Sequence, residues 1–281
     1  MAAIDALVQA ELSPADVSPA LALSAKVGWN QTADDWRLFV TRGRAIGLFD
    51  NEAGLVATAA ALPYDNGFGW ISMVIVDPAW RRRGLARQLM GECIDELRRR
   101  RLTPLLDATP AGALVYRDLG FVELCTMERW EGEGGAAAPS KCAAGAIRLA
   151  AADIEGLIAA DAKAFGSPRR FLLEDFSARE GTCAWGYDGG YIVMRRGHRA
   201  MQVGPLIAAS EEAARALLAA AIAQARGRVF LDLLAPWSGL AALLESCGFA
   251  RQRPFVRMAQ NRAALPGDPR HLAIAAGPEF G

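Results

Sequence analysis

The sequence predicts an α/β protein made of two related units in tandem. Apolar runs of strand length alternate with longer segments in which apolar residues recur every three or four positions, as on one face of a helix. Short patterns of the first half also recur in the same order in the second half: Leu12 and Asp16 at Leu149 and Asp153, Phe39 and Arg42 at Phe176 and Arg179, Leu106-Asp107 at Leu231-Asp232, and Gly120-Phe121 at Gly248-Phe249.

The composition limits the class of protein. The chain has 281 residues, of which 52% are hydrophobic, which suits about two domains. Its 31 Lys and Arg balance its 31 Asp and Glu, so we expect neither a nucleic-acid-binding nor a membrane-binding surface. The five cysteines are scattered without a C-x-x-C pair, and the first residues lack the cationic start of a signal peptide. We therefore expect a soluble, cytoplasmic protein.

The first half begins with short elements whose boundaries follow from capping and turn residues. The predicted elements are a strand at 7–11, a helix from Ser13 to about residue 27, a helix at 32–42, and strands at 45–49 and 55–62. Asn66-Gly67 then predicts a hairpin turn, because this pair accepts positive φ.

The next strand is predicted to be central in its sheet. Apart from Ser72, residues 70–76 are apolar, a run too continuous for a solvated edge, and Asp77-Pro78 stops it. A long helix follows, with one apolar face made of Leu85, Leu89, Met90, Cys93, Ile94 and Leu97. Residues 105–109 are predicted as a strand and residues 112–119 as a helix that Gly120 ends.

The division into domains follows from a stretch of small residues at 131–145, EGEGGAAAPSKCAAG, which has no periodicity. We predict a first domain at 1–131, a linker at 132–146, a second domain at 147–260 and a tail at 261–281. The tail is rich in Pro and Gly, and we expect it to be loosely held.

An arginine-rich segment connects the central strand to the long helix. A glycine-relaxed turn at a helix N-terminus directs N–H groups at a bound phosphate, and the helix dipole adds favourable potential. Gly84 allows close approach of the backbone, Ala86 is small, and Arg82, Arg83 or Arg87 supply local positive charge. The segment predicts a diphosphate site of the kind coenzyme A needs; the alternative is a solvated helix start without a ligand.

These residues resemble the signature of the GNAT superfamily of acyl-CoA N-acyltransferases, Arg/Gln-x-x-Gly-x-Gly/Ala between a central strand and a long helix. Arg81, Gly84 and Ala86 occupy its three positions. A second family pattern, Asn-x-x-Ala-x-x-Leu-Tyr-x-x-x-Gly-Phe, matches the spacing of residues 109–121, although Thr109 replaces Asn and Gly112 replaces Ala. The resemblance implies two GNAT-like units, each with a mixed, mostly antiparallel central sheet flanked by helices.

The resemblance also implies a reaction and its residues. An amine attacks the thioester of acetyl-CoA directly, without a covalent enzyme intermediate. The residues implied to bind the donor are Val74, Ile75, Val76, Arg81, Arg82, Arg83, Gly84, Leu85, Ala86 and Arg87. Tyr116 is the implied acid for the leaving thiolate. The base stays open between Asp107, Asp77 and a water held by Asn30.

The implied acceptor is an amine of a small molecule or a peptide, which the sequence does not identify further. Trp29 and Asn30 are its hypothetical contacts, because they lie where the family usually builds its acceptor pocket. A Trp that only packs a helix end is the alternative. No metal is expected, since the two histidines, His198 and His271, form no ligand pattern. The oligomeric state is not predicted. The alternative function is a non-catalytic acyl-CoA sensor or interaction protein.

The second half lacks the phosphate-binding signature. After the strand predicted at 201–207, the segment 208–213 contains no Gly or Arg and carries Glu211 and Glu212, which would repel a diphosphate. Leu244 stands in the position that corresponds to Tyr116. We therefore expect this half to be a degenerate copy that completes the acceptor cleft or forms an interface.

Overall fold

The structure is a computed structural model that describes residues 7–135, 145–150 and 153–281. Most of the predicted linker lies outside the described residues. The chain forms two compact units, one up to Leu106 and one from Asp107 onward.

The first unit contains a mixed sheet with helices on it. Its elements are β1 (Val8–Glu11), α1 (Val17–Lys26), α2 (Ala33–Arg42), β2 (Arg44–Asp50), β3 (Gly54–Pro63), β4 (Phe68–Val76), α3 (Leu85–Arg99) and β5 (Thr103–Ala108). The strands lie in the order β1-β2-β3-β4-β5. Successive pairs are antiparallel except β4 and β5, which are parallel because α3 crosses over between them.

The helices of this unit begin and pack as their sequences predict. Thr32 caps α2 through a reciprocal pair of bonds with Asp35. Trp36 of α2 is fully buried, and its Nε1 donates to Ser24 Oγ of α1 at 3.2 Å. All six apolar residues predicted for the inner face of α3 are buried. The burial of this face fixes α3 against β3 and β4.

The second unit contains a larger sheet. Its elements are α4 (Pro110–Asp118), β6 (Phe121–Glu133), β7 (Ile147–Leu149), α5 (Ile154–Phe165), α6 (Arg170–Ala178), β8 (Cys183–Tyr187), β9 (Gly190–Arg195), β10 (Met201–Ile207), α7 (Glu211–Gln224), β11 (Arg228–Leu234), α8 (Ala241–Ser246), β12 (Ala250–Gln260) and β13 (Leu272–Ile274). The strand order is β12-β6-β11-β13-β10-β9-β8-β7, and β10–β11 is the parallel pair. The mixed, mostly antiparallel α/β architecture is confirmed.

The compact units do not divide where the linker is predicted. β6 pairs along its length with β11 on one side and β12 on the other, so residues 121–133 belong with the second unit. The predicted domains 1–131 and 147–260 describe units of repeated sequence, and as such they stay a prediction.

The expectation of a loose tail at 261–281 is wrong. β13 pairs with β10 and with β11, and residues 272–277 are buried. Phe280 is fully buried, with its ring centroid 5.6 Å from that of Phe176. The composition was a poor guide because small residues are common both in loops and in closely packed interiors. Ala273 and Ala275 are fully buried here.

Two buried ion pairs stand at corresponding places of the repeated pattern. Arg129 of β6 donates two hydrogen bonds to Asp232 of β11 at 2.8 Å each. Arg257 of β12 donates two to Asp107 at 2.8 and 2.9 Å. Bidentate pairing is the arrangement that offsets the cost of burying both charges. The two aspartates are the ones that mark the repeat in the sequence, which explains their recurrence.

Candidate active site

The edge of β4 is open in the first unit beyond a short parallel contact. β4 pairs with β5 only at Phe68–Trp70, against Thr103–Leu105. The following residues of β4, up to Val76, pair with β3 and with no other strand of this unit. A strand edge without a partner presents backbone N–H and C=O groups that a ligand can use.

A bulge interrupts β4 midway along this edge. Thr58 faces Ile75 and Ala60 faces Ser72, so β4 has one residue more than β3 over this stretch. Met73 has a φ of 54°, and its carbonyl accepts a bond from Thr58 Oγ1 at 2.8 Å. Bulges redirect backbone groups and are frequent next to active sites.

The alternation of the strand shows which N–H groups face the open edge. The N–H of Asp77 donates to Val56 O of β3 at 2.9 Å. Since N–H groups of an antiparallel strand point alternately to the two sides, that of Val76 points away from β3, and that of Val74 lies on the same side. Ile75 turns its N–H toward β3 and buries its side chain. Donor binding by these three residues stays a prediction.

The turn before α3 has the backbone conformation that its glycine predicts. Arg82 and Gly84 have positive φ values of 61° and 80°. A Cβ on Gly84 would meet nothing within 4 Å, so the φ value and not crowding favours glycine there. Gly84 is the N-cap of α3, and no side chain accepts from the first N–H groups of the helix. These groups are therefore available to an anion.

The arginines of the turn divide into two kinds. Arg81 donates to Val76 O at 3.3 Å, and Arg83 donates to Ala79 O and lies over the ring of Trp80 at 4.6 Å, so these two brace the turn. Arg82 and Arg87 are exposed, and within the described chain they form no ion pair. The first pair shapes the loop, and the second leaves its charge exposed at the surface.

Asp77 holds the start of this turn. One of its carboxylate oxygens accepts from the N–H of Ala79 at 2.9 Å, and the other accepts from Lys26 Nζ at 2.5 Å. Burial alone would raise the pKa of Asp77, but the hydrogen bonds from Lys26 and Ala79 and the charges of Lys26 and Arg81 outweigh it, so the pKa is lowered from 3.8. A carboxylate stabilised in this way is a poor general base.

Asp107 is unsuited as a base for a different reason: burial raises its pKa in spite of the pairing with Arg257, but the side chain presents no surface to a substrate. Its side chain is fully buried, and both oxygens accept from Arg257. Neither Asp77 nor Asp107 therefore has the surroundings of a general base. A water held by Asn30 is the candidate base that remains.

Tyr116 lies in the second unit, on α4. Thr109 caps this helix, and its Oγ1 accepts from the N–H of Gly112 at 3.2 Å. A threonine can thus start the helix where the family pattern has Asn. The ring of Tyr116 is half-buried and lies 6.1 Å from that of Phe121, centroid to centroid. Its catalytic role stays a prediction.

The segment between α1 and α2 buries polar groups in the first unit. Trp29 is half-buried, and Asn30 and Gln31 are buried. Gln31 Oε1 and Ser72 Oγ of β4 are both buried, and neither makes a hydrogen bond within the described chain. Buried polar atoms normally have partners. The sequence did not indicate Ser72 as a site residue, because a single Ser in an apolar strand gives no sign that its hydroxyl lacks a partner.

No group of three or more His, Cys, Asp or Glu side chains that could hold a metal lies among the described residues. None of the described helices combines the length and the apolar composition that crossing a bilayer requires.

Comparison with known proteins gives two family matches. Residues 17–121 match the acetyltransferase (GNAT) family, and residues 157–273 match an acetyltransferase (GNAT) domain. The uncharacterized N-acetyltransferase YitH of Bacillus subtilis is 26% identical over 272 residues, which cover 94% of this chain and 95% of that protein.

Solved structures show the same fold. One from Pyrococcus horikoshii, proposed to be an acetyltransferase, has a TM-score of 0.85 at 18% identity and covers 100% of this chain and 98% of its own. A tandem GNAT protein from the clavulanic acid biosynthesis pathway has a TM-score of 0.61 at 14% identity, over 90% of this chain and 98% of its own. Because the two family matches together span most of the chain, the protein belongs to the GNAT superfamily and is an acyltransferase with two GNAT domains in tandem.

Proposed function

We propose that the protein transfers an acetyl group from acetyl-CoA to a primary amine and binds the donor in its first unit. The observation that carries this proposal is that two binding features follow each other in the chain. The open edge of β4 can bind amide groups, and the uncapped N-terminus of α3, which comes soon after it, can bind an anion. Extended amide groups and a diphosphate are the parts of coenzyme A that such a combination fits.

Each feature has a part of the donor to bind. The N–H groups of Leu85, Ala86 and Arg87 hold the diphosphate, and Arg82 and Arg87 neutralise it. The N–H groups of Val74 and Val76 hold the pantetheine arm and polarise the thioester carbonyl. The site thereby fixes the carbonyl carbon for attack by an amine held beside it.

The transfer is a direct displacement. The neutral amine nitrogen forms a bond to the carbonyl carbon, the C–S bond breaks, and a base takes the proton that the nitrogen loses. Tyr116 donates its phenolic proton to the departing thiolate.

The acceptor amine enters beside the segment between α1 and α2. Trp29 supplies an apolar wall, Asn30 a side-chain amide, and Gln31 Oε1 and Ser72 Oγ are acceptors that a substrate N–H or O–H satisfies. Small-molecule and peptide amines both fit this chemistry. The proposed location is the cytoplasm, and the four described cysteines are unpaired as in a reducing compartment.

The test is release of free coenzyme A over a panel of small amines, peptide N-termini and lysine peptides. Transfer predicts thiol release that depends on both substrates; donor binding without thiol release for any amine would contradict it. Trp29→Ala and Asn30→Ala are expected to raise KM for the amine about tenfold and to leave donor KM unchanged. Thr41→Ala, an exposed change on α2, is the control.

A further inference from the structure

The second unit contains the same diverging pair of strands as the first. β10 and β11 are parallel and pair only at Met201–Val203, against Val229–Leu231. β10 also has one extra residue relative to its antiparallel neighbour β9, between Val203 and Leu206. β4 has the same two features. The second unit thus has the backbone framework of a donor cleft.

Residues Asp268–Gly281, here named the strap, fill the gap between these strands. Ile274 of β13 faces Leu206 of β10 on one side and Leu233 of β11 on the other. The N–H of Ala275 donates to Asp232 O at 3.0 Å, and the N–H of Ala208 donates to His271 O at 3.0 Å. The strap therefore satisfies backbone groups on both walls of the cleft.

The cleft is shaped to the strap at Gly204. A Cβ on this residue would collide with the carbonyl oxygen of Ala275, and its φ of 133° is in the region that favours glycine. Glycine at this position permits the close approach of two backbones.

Two buried arginines hold the strap in place. Arg169 donates to the backbone carbonyl of Gly281 at 2.7 Å, and Arg195 donates to Glu279 at 3.1 Å. Both arginine side chains are at most 2% exposed. Each arginine also has a partner outside the strap, Asp161 for Arg169 and the carbonyl of Gly204 for Arg195. The strap completes the hydrogen bonding of these two buried guanidinium groups, and its removal would leave some of their N–H groups without acceptors. This distinguishes it from a lid that opens in each cycle.

The phosphate half of the cleft is closed as well. Ser210 caps α7, and its Oγ accepts from the N–H of Ala213 at 3.1 Å. Glu211 and Glu212 occupy the first turn. At the corresponding positions, α3 has Gly84 as an N-cap residue without a side chain to accept a hydrogen bond, followed by Leu85 and Ala86 in place of the two glutamates.

We propose that the strap is a built-in occupant of the second cleft: along β10 it takes the place that the donor arm takes along β4. Each chain then binds one donor molecule, and the second cleft recognises an extended polypeptide backbone instead of a nucleotide. The part concerning β4 rests on the proposed function; the occupancy of the second cleft does not.

Hydrogen exchange of the intact protein, with and without coenzyme A, tests this proposal. Without ligand, the amides of Val74 and Val76, which face the open edge, are expected to exchange at least about tenfold faster than those of 206–208. Coenzyme A is expected to slow exchange at 71–76 and 82–87 and to leave 204–208 and 231–234 unchanged. Calorimetry is expected to give one site per chain. Two sites, or protection at 204–208, would overturn the proposal.

The outcome separates this inference from the proposed function. If coenzyme A gives no heat of binding and no protection at 71–76, only the proposed function is contradicted. Fast exchange at the edge of β4 together with slow exchange at 206–208 would still support the strap as the occupant of the second cleft. Equal exchange of both segments without ligand contradicts the strap alone.

A variant provides the second test. Ala275→Pro removes the N–H that bonds Asp232 O, and exchange at 206–208 and 232–234 is expected to rise at least about tenfold. A labelled peptide of residues 268–281 is expected to bind this variant at least about tenfold more tightly than the wild type. Ala263→Pro, in the exposed segment before the strap, is the control. Equal peptide binding to all three proteins would overturn the proposal, and Phe280→Ala serves if Ala275→Pro does not fold.

Discussion

In the first unit, β4 leaves its parallel neighbour after Trp70, and its edge stays open as far as Val76. In the second unit, β10 leaves β11 after Val203, and the strap pairs with both strands. The divergence of two parallel strands is thus common to the repeats, and what differs is the partner of the freed backbone groups. Because such groups need partners when buried, a cleft of this kind either receives a ligand or is filled by the chain itself.

The largest expected effect comes from giving α3 the start that α7 has. Gly84→Ser with Ala86→Glu adds a capping hydroxyl and a carboxylate where the diphosphate is proposed to lie. We expect donor affinity to fall about a thousandfold, or about 4 kcal/mol, measured by calorimetry. Glu212→Ala in the second unit is the control and is expected to change nothing. A loss of less than about tenfold would contradict the proposed diphosphate site.

The contact between Gly204 and the strap predicts the next effect, on stability. Gly204→Ala is expected to lower the free energy of unfolding by about 3 kcal/mol, because the methyl group collides with Ala275 O as well as straining the backbone. Gly189→Ala isolates the backbone cost, since it also has positive φ but nothing within 4 Å, and about 1 kcal/mol is expected. Urea unfolding measures both, and equal losses would show that the strap does not crowd Gly204.

Tyr116 and Leu244 stand at corresponding positions of the repeats, and the hydroxyl is what the second copy lacks. Tyr116→Phe keeps the ring contact with Phe121 and is expected to lower kcat about a hundredfold, or about 2.7 kcal/mol, with donor affinity unchanged. Leu114→Ala, an exposed change on the same helix, is the control. Steady-state kinetics measure kcat, and titration with the donor measures its affinity. An unchanged kcat would show that Tyr116 has no part in the mechanism.

The smallest effect concerns the residue that follows each central strand, Asp77 after β4 and Ala208 after β10. The pKa of Asp77 is lowered from 3.8, so its ion pair with Lys26 stabilises the fold above that pH and is lost as the pH falls through the lowered value. Asp77→Asn is expected to cost about 1 kcal/mol at pH 7. The difference from wild type should be constant above about pH 5 and should shrink as the pH falls below 3.8, measured by urea unfolding at each pH. A difference that does not shrink would mean that the charge is not responsible.

Much of the first unit was predictable because its signals are local. Asn66-Gly67 indicated the hairpin, and the four-residue spacing of Leu85, Leu89 and Cys93 indicated the face of α3. Positive φ at Gly84 follows from the lack of a Cβ. Each of these preferences acts within a few residues, so the sequence expresses it directly.

The bulge at Met73, the buried Ser72 and the partners of Asp77 and Asp107 were not predictable. They depend on which strand or side chain faces each residue across the fold, and Asp107 and Arg257 are 150 positions apart in the chain. The spacing of residues within one element contains no information on such contacts.

The sequence by itself determined the repeat, the helix and strand types, the glycine turn before α3 and the absence of such a turn before α7. Only the tertiary structure decided that residues 272–274 form a strand between β10 and β11 while the edge of β4 stays open. The physical reason is that a three-residue strand has little preference of its own. It forms because backbone groups of β10 and β11 pair with it, and because Arg169 and Arg195 donate to Gly281 and Glu279, which follow it.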